Sequence, residues 1–255
     1  MTTSAQRILV ANDDGIDAPG LAELADAARV LDGEVWTVAP ERKWTAGSHQ
    51  LSFDRDLVLS RVAERTYACS GAPADCVIAA MTVLFADGRR PDLVLAGINH
   101  GRNVGEDAAY SGTMAIGREA TFWDVPAISL SRIESAAPGP ADGAALRALL
   151  RCLWDNRAAW TDGGAWLAVN LPARLPARIV QAAIGRDKIG TASDVVERTP
   201  ERIRWRLRRG RAYASSAGDE NAALAAGSIA IVRHRWPDAA PLSAELIASW
   251  QRALD

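Results

Sequence analysis

Three short runs, residues 8–11, 35–39 and 93–98, are near-continuous apolar stretches bounded by turn residues. A strand with one wet face alternates apolar and polar positions, whereas a strand apolar along its whole length must be covered on both faces. That is the condition of a parallel sheet flanked by helices. Between these runs lie residues 19–31 and 73–85, where apolar positions recur at helical spacing and a proline stands near the start, a position a helix tolerates. The alternation predicts right-handed βαβ units and hence an α/β fold with a doubly wound, mostly parallel sheet of Rossmann-like form. A chain of 255 residues can bury such a core.

The pattern continues with a strand at 127–131, a loop rich in Ala, Pro and Gly at 134–143, a helix at 144–156 and a further strand at 166–171. From about residue 179 the character changes. Arg202, Arg204, Arg206 and Arg208 alternate with Ile203, Trp205 and Leu207, the period of a half-exposed antiparallel strand. A turn at Arg209-Gly210, a strand at 228–232 and an amphipathic helix at 243–254 complete the chain. The expected division is an α/β core over 1–178 and a C-terminal β-hairpin and helix extension over 179–255. The arginines read as the wet face of the hairpin, with Ile203, Trp205 and Leu207 packing inward or against another subunit. Among the nine tryptophans, Trp154, Trp160, Trp166 and Trp250 are expected in the core or at an interface, and His234 at the surface.

A net charge of -2 gives no global attraction to nucleic acid or anionic membrane, so neither a stable nucleic acid complex nor membrane binding is expected. The longest apolar run, 76–86, is too short to span a bilayer. Cys69, Cys76 and Cys152 are odd in number and lie in apolar surroundings, which suits a reducing compartment. With no signal-peptide pattern in the first six residues, the expected location is the cytoplasm.

Ligands of doubly wound sheets bind beyond the carboxyl ends of the strands. The first apolar run delivers Asn12, Asp13, Asp14 and Gly15 to that edge. Alone, Asp-Asp-Gly also suits a helix cap or a solvated loop. The run at 93–98 ends in Asn99, and the segment 100–113 that follows is dense in Gly, Asn and Ser before a helix that opens at Gly112-Thr113. Alone, that is ordinary loop chemistry; it is also how an anion site at a helix N-terminus is built. In a parallel sheet the two features converge. Carboxylates with an amide oxygen form a hard-oxygen site for magnesium or manganese, and a divalent cation beside an anion cradle is what phosphate-ester hydrolysis requires.

The segments Ile8-Leu9-Val10-Ala11-Asn12-Asp13-Asp14-Gly15, Val38-Ala39-Pro40-Glu41-Arg42, Gly71-Ala72-Pro73-Ala74-Asp75, Gly97-Ile98-Asn99-His100-Gly101, Asn103-Val104-Gly105-Glu106-Asp107 and Tyr110-Ser111-Gly112-Thr113 occur in the order seen in the SurE (survival protein E) family. The chain thus resembles metal-dependent nucleoside monophosphate phosphatases over about residues 7–131. The resemblance implies one divalent metal ion per subunit, Mg2+ or Mn2+, held by Asp13, Asp14, Asn99 and Thr45. It also implies a phosphate pocket of Asn103, Ser111, Gly112 and Thr113, with Asp13, Asp14, Asn103 and Ser111 as the catalytic set. A homodimer or homotetramer is implied too, because the C-terminal region commonly exchanges elements between subunits. Departures from the family pattern are Glu41 for aspartate, Thr45 for serine, Ala72 for threonine and Ala96 for serine. Those around Ala72 and Thr45, with the bulky Trp44, bear on which phosphoester fits.

Trp44, His49 and His100 are candidate substrate contacts, the histidines as donors of a proton to the leaving alkoxide. The expected activity is hydrolysis of nucleoside 5′- or 3′-monophosphates. One alternative keeps the fold and metal but acts on a non-nucleotide phosphate or polyphosphate. A receiver-like phosphoacceptor module would need an aspartate where Asn99 stands, and a lysine placed unlike Lys43 and Lys188.

Overall fold

The computed structural model describes residues 6–133, 138–186, 190–209, 215–237 and 240–252. In chain order it comprises β1 (Arg7–Ala11), α1 (Pro19–Ala28), β2 (Glu34–Pro40), β3 (Leu59–Ala63), β4 (Thr66–Cys69), α2 (Pro73–Ala79), β5 (Leu93–His100), α3 (Asp107–Tyr110) and α4 (Gly112–Phe122). Then follow β6 (Ala127–Arg132), α5 (Pro140–Asp155), β7 (Ala165–Leu171), β8 (Ile179–Gln181), β9 (Gly190–Arg198), β10 (Ile203–Arg209), α6 (Glu220–Ala225), β11 (Ile229–Arg235) and α7 (Ala244–Gln251).

Nine strands form one sheet in the order β3-β4-β2-β1-β5-β6-β7-β11-β8. From β4 to β7 every pairing is parallel. The chain leaves β1 for β2 on one side and returns to β5 on the other. The edge beyond β1 and β5 is therefore the switch point where such sheets open a crevice.

Each central strand feeds two cores. Ile8 and Val10 face a layer with Leu21 and Leu24 of α1 and Leu146 and Leu150 of α5. Leu9 and Ala11 face the opposite layer, with Cys76 and Val77 of α2 and Met114 and Ile116 of α4. All five residues of β1 and all seven of β7 are buried. At roughly 1.5–3 kcal/mol for each large apolar side chain removed from water, these layers are the main source of stability.

The helix expected at 19–31 divides into α1 and a 3-10 turn at Arg29–Leu31, and the one at 73–85 ends in a π-helical turn at Ala80–Leu84. α5 begins at Pro140, inside the stretch read as a loop, of which 134–137 lie outside the described residues. The reason is local: Pro140 fits the first helical turn and Asp142 accepts the Gly139 N–H at 2.8 Å.

The segment after 178 is not wholly an extension. β11 runs antiparallel to β7, and β8 lies parallel to β11, so both belong to the main sheet. What leaves the body is the two-stranded ribbon of β9 and β10, and α7, which has no buried residue. In the ribbon Ile203, Trp205 and Leu207 are exposed, as are Val195 and Val196. Gly210 of the expected turn lies outside the described residues. Trp154, Trp160 and Trp166 are buried, whereas Trp250 is exposed on α7. His234, expected at the surface, is half-buried and stacks on Trp166 with ring centroids 5.1 Å apart.

Candidate active site

β1 ends in a turn that the sequence fixes locally. The Asn12 amide donates to Gly15 O at 3.1 Å and its Oδ1 accepts Gly15 N–H at 3.2 Å. Gly15 closes the turn at φ +106°, a region that side chains resist. Asp13 and Asp14 are thereby held at the lip of the sheet. The next loop is tied to the same turn, because Trp44 N–H donates to Asp13 O at 2.7 Å. It is also tied to α3, through Ser48 N–H on Tyr110 O at 2.9 Å and Ser48 Oγ on Ala109 O at 2.8 Å.

On the far side of β1, α4 starts with Ser111 as its cap, whose Oγ accepts Met114 N–H at 3.1 Å. Gly112 packs so closely on Asp13 that an added Cβ would lie 2.6 Å from Asp13 Cβ. Thr113 Oγ1 donates to Asp13 Oδ1 at 2.5 Å, and Thr113 O accepts from Ser129 Oγ at 3.0 Å. The Asp13 carboxylate is therefore wedged between the end of one strand and the start of one helix.

A cavity of about 290 Å³ opens here, lined by Asp13, Asp14, Thr45, Asn99, Asn103 and Ser111 together with Lys43, His100, Arg102, Asp107 and Tyr110. The sequence-derived metal set thus meets in one place. Asn103 is set from the neighbouring strand ends: its Nδ2 donates to Ser131 Oγ at 2.8 Å, and its backbone exchanges hydrogen bonds with the Asn170 amide at 2.9 and 3.0 Å. Gly112 and Thr113 lie behind this wall. The Thr113 side chain is fully buried with its hydroxyl on Asp13, so its contribution is to hold that carboxylate.

Two of the candidate substrate contacts lie elsewhere. The His49 ring bonds Glu119 Oε2 at 2.7 Å and stacks on Phe122, which anchors its loop to α4 and takes it away from the cavity wall. The Trp44 ring sits under the Arg42 guanidinium at 5.1 Å. Of the three only His100 lines the cavity, and its backbone N–H donates to Asp14 Oδ2 at 3.3 Å.

Burial is the main reason that the Asp13 carboxyl rises from its ordinary 3.8 to about 6. The Thr113 hydrogen bond opposes the rise and the Asp14 charge adds to it. A carboxylate in that condition is short of positive charge, and Lys43 Nζ reaches Asp14 Oδ1 at 2.5 Å from the same wall. Among the described residues no three His, Cys, Asp or Glu side chains gather to hold a metal ion. A cation here would need the neutral oxygens as well. Asn99 spends its Nδ2 on Gly101 O at 2.8 Å, leaving Oδ1 as its acceptor, and Thr45 brings a hydroxyl. Two carboxylates, one amide oxygen and one hydroxyl are hard donors, and this set fits Mg2+ or Mn2+.

Sequence reasoning missed Lys43, Asp107 and Tyr110 on the wall, and Ser129, Ser131 and Asn170 behind it. The last three had a signal: each is a polar residue near the carboxyl end of an otherwise apolar strand.

The model for the family described as survival protein SurE matches residues 8–191. A protein named 5'-nucleotidase SurE from Paramagnetospirillum magneticum is 47% identical over 129 residues, covering 51% of this chain and 49% of that protein. A protein of the same name from Cereibacter sphaeroides is 42% identical over 174 residues, covering 65% and 66%. The chain spans about half the length of the first of these relatives. A crystal structure of SurE protein from Aquifex aeolicus matches 97% of this chain and 99% of its own with a TM-score of 0.71. At 24% identity that likeness concerns the fold. The chain belongs to the survival protein SurE family.

Proposed function

We propose that the chain is a divalent-metal-dependent phosphomonoesterase that hydrolyses nucleoside 5′- or 3′-monophosphates to nucleoside and phosphate. The observation that carries this reading is the meeting of Asp13, Asp14, Asn99 and Thr45 with Asn103 and Ser111 on one cavity. The relatives named 5'-nucleotidase SurE point to the same substrate class.

Asp13, Asp14, Asn99 and Thr45 are the residues to hold one Mg2+ or Mn2+. When bound, the ion supplies charge to polarise a phosphoryl oxygen and to activate water. The remaining work falls to the chain itself. Thr113 and Gly112 fix Asp13, so that its carboxylate needs no rearrangement on meeting charge. Ser111 Oγ accepts from Met114 N–H and has its own O–H left to donate to a phosphoryl oxygen. Asn103 keeps its second amide hydrogen for the same purpose. Lys43 offsets negative charge at the mouth. His100, which lines the cavity, is the candidate to give the leaving oxygen a proton.

The exposed apolar side chains of the ribbon and of α7 support assembly into a homodimer or homotetramer. Cys69, Cys76 and Cys152 are unpaired, consistent with a cytoplasmic setting. No described helix is long and apolar enough to cross a membrane.

Phosphate release from nucleotides, sugar phosphates and polyphosphate, with Mg2+, Mn2+ or EDTA, tests the reading. Metal-dependent release with nucleoside monophosphates preferred is the expected result. No hydrolysis of any compound with either metal would overturn the enzyme, and activity confined to non-nucleotides would overturn the substrate.

A further inference from the structure

Lysine is scarce in this chain. Of its 29 Lys and Arg residues only Lys43 and Lys188 are lysines, and Lys43 stands on the wall of the candidate active site. The choice of cation has a physical consequence. An arginine fork makes a fixed pair of two matched bonds with a carboxylate, as Arg132 does with Glu23 at 2.8 and 2.9 Å. A lysine ammonium is a point charge on a flexible stem, and it exchanges one anionic partner for another without losing a matched geometry.

The segment that carries Lys43 is held at its backbone and exposed at this side chain. Trp44 N–H is bonded to Asp13 O, Ser48 to α3, and the His49 ring to Glu119. The Lys43 side chain is 56% exposed, against 10% for Asp14. Its Nζ lies 2.5 Å from Asp14 Oδ1. Among the described residues this is the one ion pair made by any of the four proposed metal ligands. The other oxygens of the two carboxylates are engaged differently: Asp14 Oδ2 accepts the His100 backbone N–H, and Asp13 Oδ1 accepts the Thr113 hydroxyl. A divalent cation on Asp14 Oδ1 would stand close to the ammonium, and like charges at such range repel. The same cavity wall carries Asn103 and Ser111, so an ammonium that leaves Asp14 remains beside the groups read as phosphate donors.

We propose that Lys43 is an exchangeable counter-ion: its ammonium competes with the metal ion for Asp14 and, once displaced, binds the phosphoryl oxygens of the substrate. Lys43 thereby lowers metal affinity and raises phosphate affinity. The inference rests on the metal-dependent reading, since it takes Asp14 as a ligand of the cation.

The first test needs no turnover. Mn2+ alone is titrated into the protein without substrate, and free Mn2+ is followed by its paramagnetic resonance signal. Lys43→Met keeps an unbranched stem and removes the charge, and it is expected to bind Mn2+ about threefold to tenfold more tightly than the parent. Lys43→Arg keeps the charge and is expected to bind Mn2+ no more tightly than the parent. A gain of affinity in Lys43→Met is a result that misfolding does not produce. The second test titrates inorganic phosphate into Mn2+-saturated protein. Lys43→Met is expected to bind it about fivefold or more weakly, with KM for the phosphate ester raised to match and kcat moved less.

Mn2+ affinity in Lys43→Met equal to or weaker than the parent's, or tightened equally in Lys43→Arg, would overturn the competition and leave the phosphatase reading standing. Unchanged phosphate binding in Lys43→Met would overturn the transfer of the ammonium to substrate. A parent protein that binds no Mn2+ overturns the metal-dependent reading, and this inference with it.

Discussion

The sheet from β1 to β7 and the ribbon of β9 and β10 treat apolar side chains in opposite ways. In the sheet Ile8, Leu9, Val10, Val94 and Leu95 are removed from water on both faces. In the ribbon Val195, Ile203, Trp205 and Leu207 stand in solvent. A sheet buried on both faces is a rigid frame, and polar residues at its strand ends inherit that rigidity. A ribbon with no such cover has an unmet need for a partner surface. The first arrangement suits a reaction centre, the second an interface, and substitutions in each should report different quantities.

The largest effect is expected at the strand end. Asp14→Asn keeps the shape of a side chain at the mouth of the cavity but removes one of only two carboxylates in the proposed metal set. Metal-dependent phosphate release should fall by at least about 10²-fold with the unfolding midpoint nearly unchanged. A variant with most of its turnover would show that the pair does not hold the working cation. Gly112→Ala should come next and should affect both properties. Its Cβ would press on Asp13 Cβ, and on Pro73 Cγ at 3.0 Å. Denaturant melts are expected to lose about 1–3 kcal/mol, and turnover should drop because Asp13 is displaced. Unchanged turnover would mean that the seating of Asp13 is not needed.

These two positions also show how far sequence could be read. The strands at 8–11, 35–39 and 93–98 were legible because burial on both faces leaves a near-continuous apolar run, and those at 127–131 and 166–171 because they continue the alternation of strand and helix. β3, with Leu59 and Ser60 before Arg61, carries no such run, since it pairs at the outer edge of the sheet and is mostly exposed. β11 was legible as a strand but not as part of the sheet, because Arg233, His234 and Arg235 suggest a wet segment. At the site, Asp13, Asp14 and Asn99 were legible as polar residues ending apolar strands. The bond from Thr113 to Asp13 spans 100 residues, and the one from His49 to Glu119 spans 70. Nothing local in the chain encodes either. The family resemblance implies Thr113 on phosphate, and closeness in sequence suggests His49 near substrate; neither carries these long-range bonds.

A smaller effect separates the interior of the sheet from its lip by pH. Burial, with the Arg118 charge second, lowers the His234 pKa from 6.5 to about 4, while Asp13 rises to about 6. For His234 the unfolded chain binds the extra proton between pH 4 and 6.5, so stability is full above 6.5 and is lost as pH falls through that window. For Asp13 the native state holds the extra proton between 3.8 and 6, so its stability is present at low pH and is lost as pH rises through 6. The two oppose each other in metal-free protein. His234→Phe should therefore keep roughly 1–2 kcal/mol of the stability that the parent loses between pH 7.5 and 5, measured by urea unfolding in EDTA. The same loss in both proteins would mean that His234 does not titrate as a buried group.

The smallest effect on the folded body, and the one that bears most directly on the comparison, is expected in the ribbon. Trp205→Ser with Leu207→Ser removes two large apolar side chains that touch water in the single chain. If these side chains need no cover, the substitution should be nearly neutral everywhere. If a second copy covers them, each contributes about 1.5–3 kcal/mol to association, and the dissociation constant should rise by about 10²-fold or more. Sedimentation should then show smaller species at micromolar protein, while the unfolding free energy of the dilute body moves by less than about 0.5 kcal/mol. An unchanged assembly would show that the ribbon is not the interface. A large drop in the stability of the body would show instead that the ribbon is folded against it. That second outcome would erase the contrast, since apolar side chains in both regions would then serve one core.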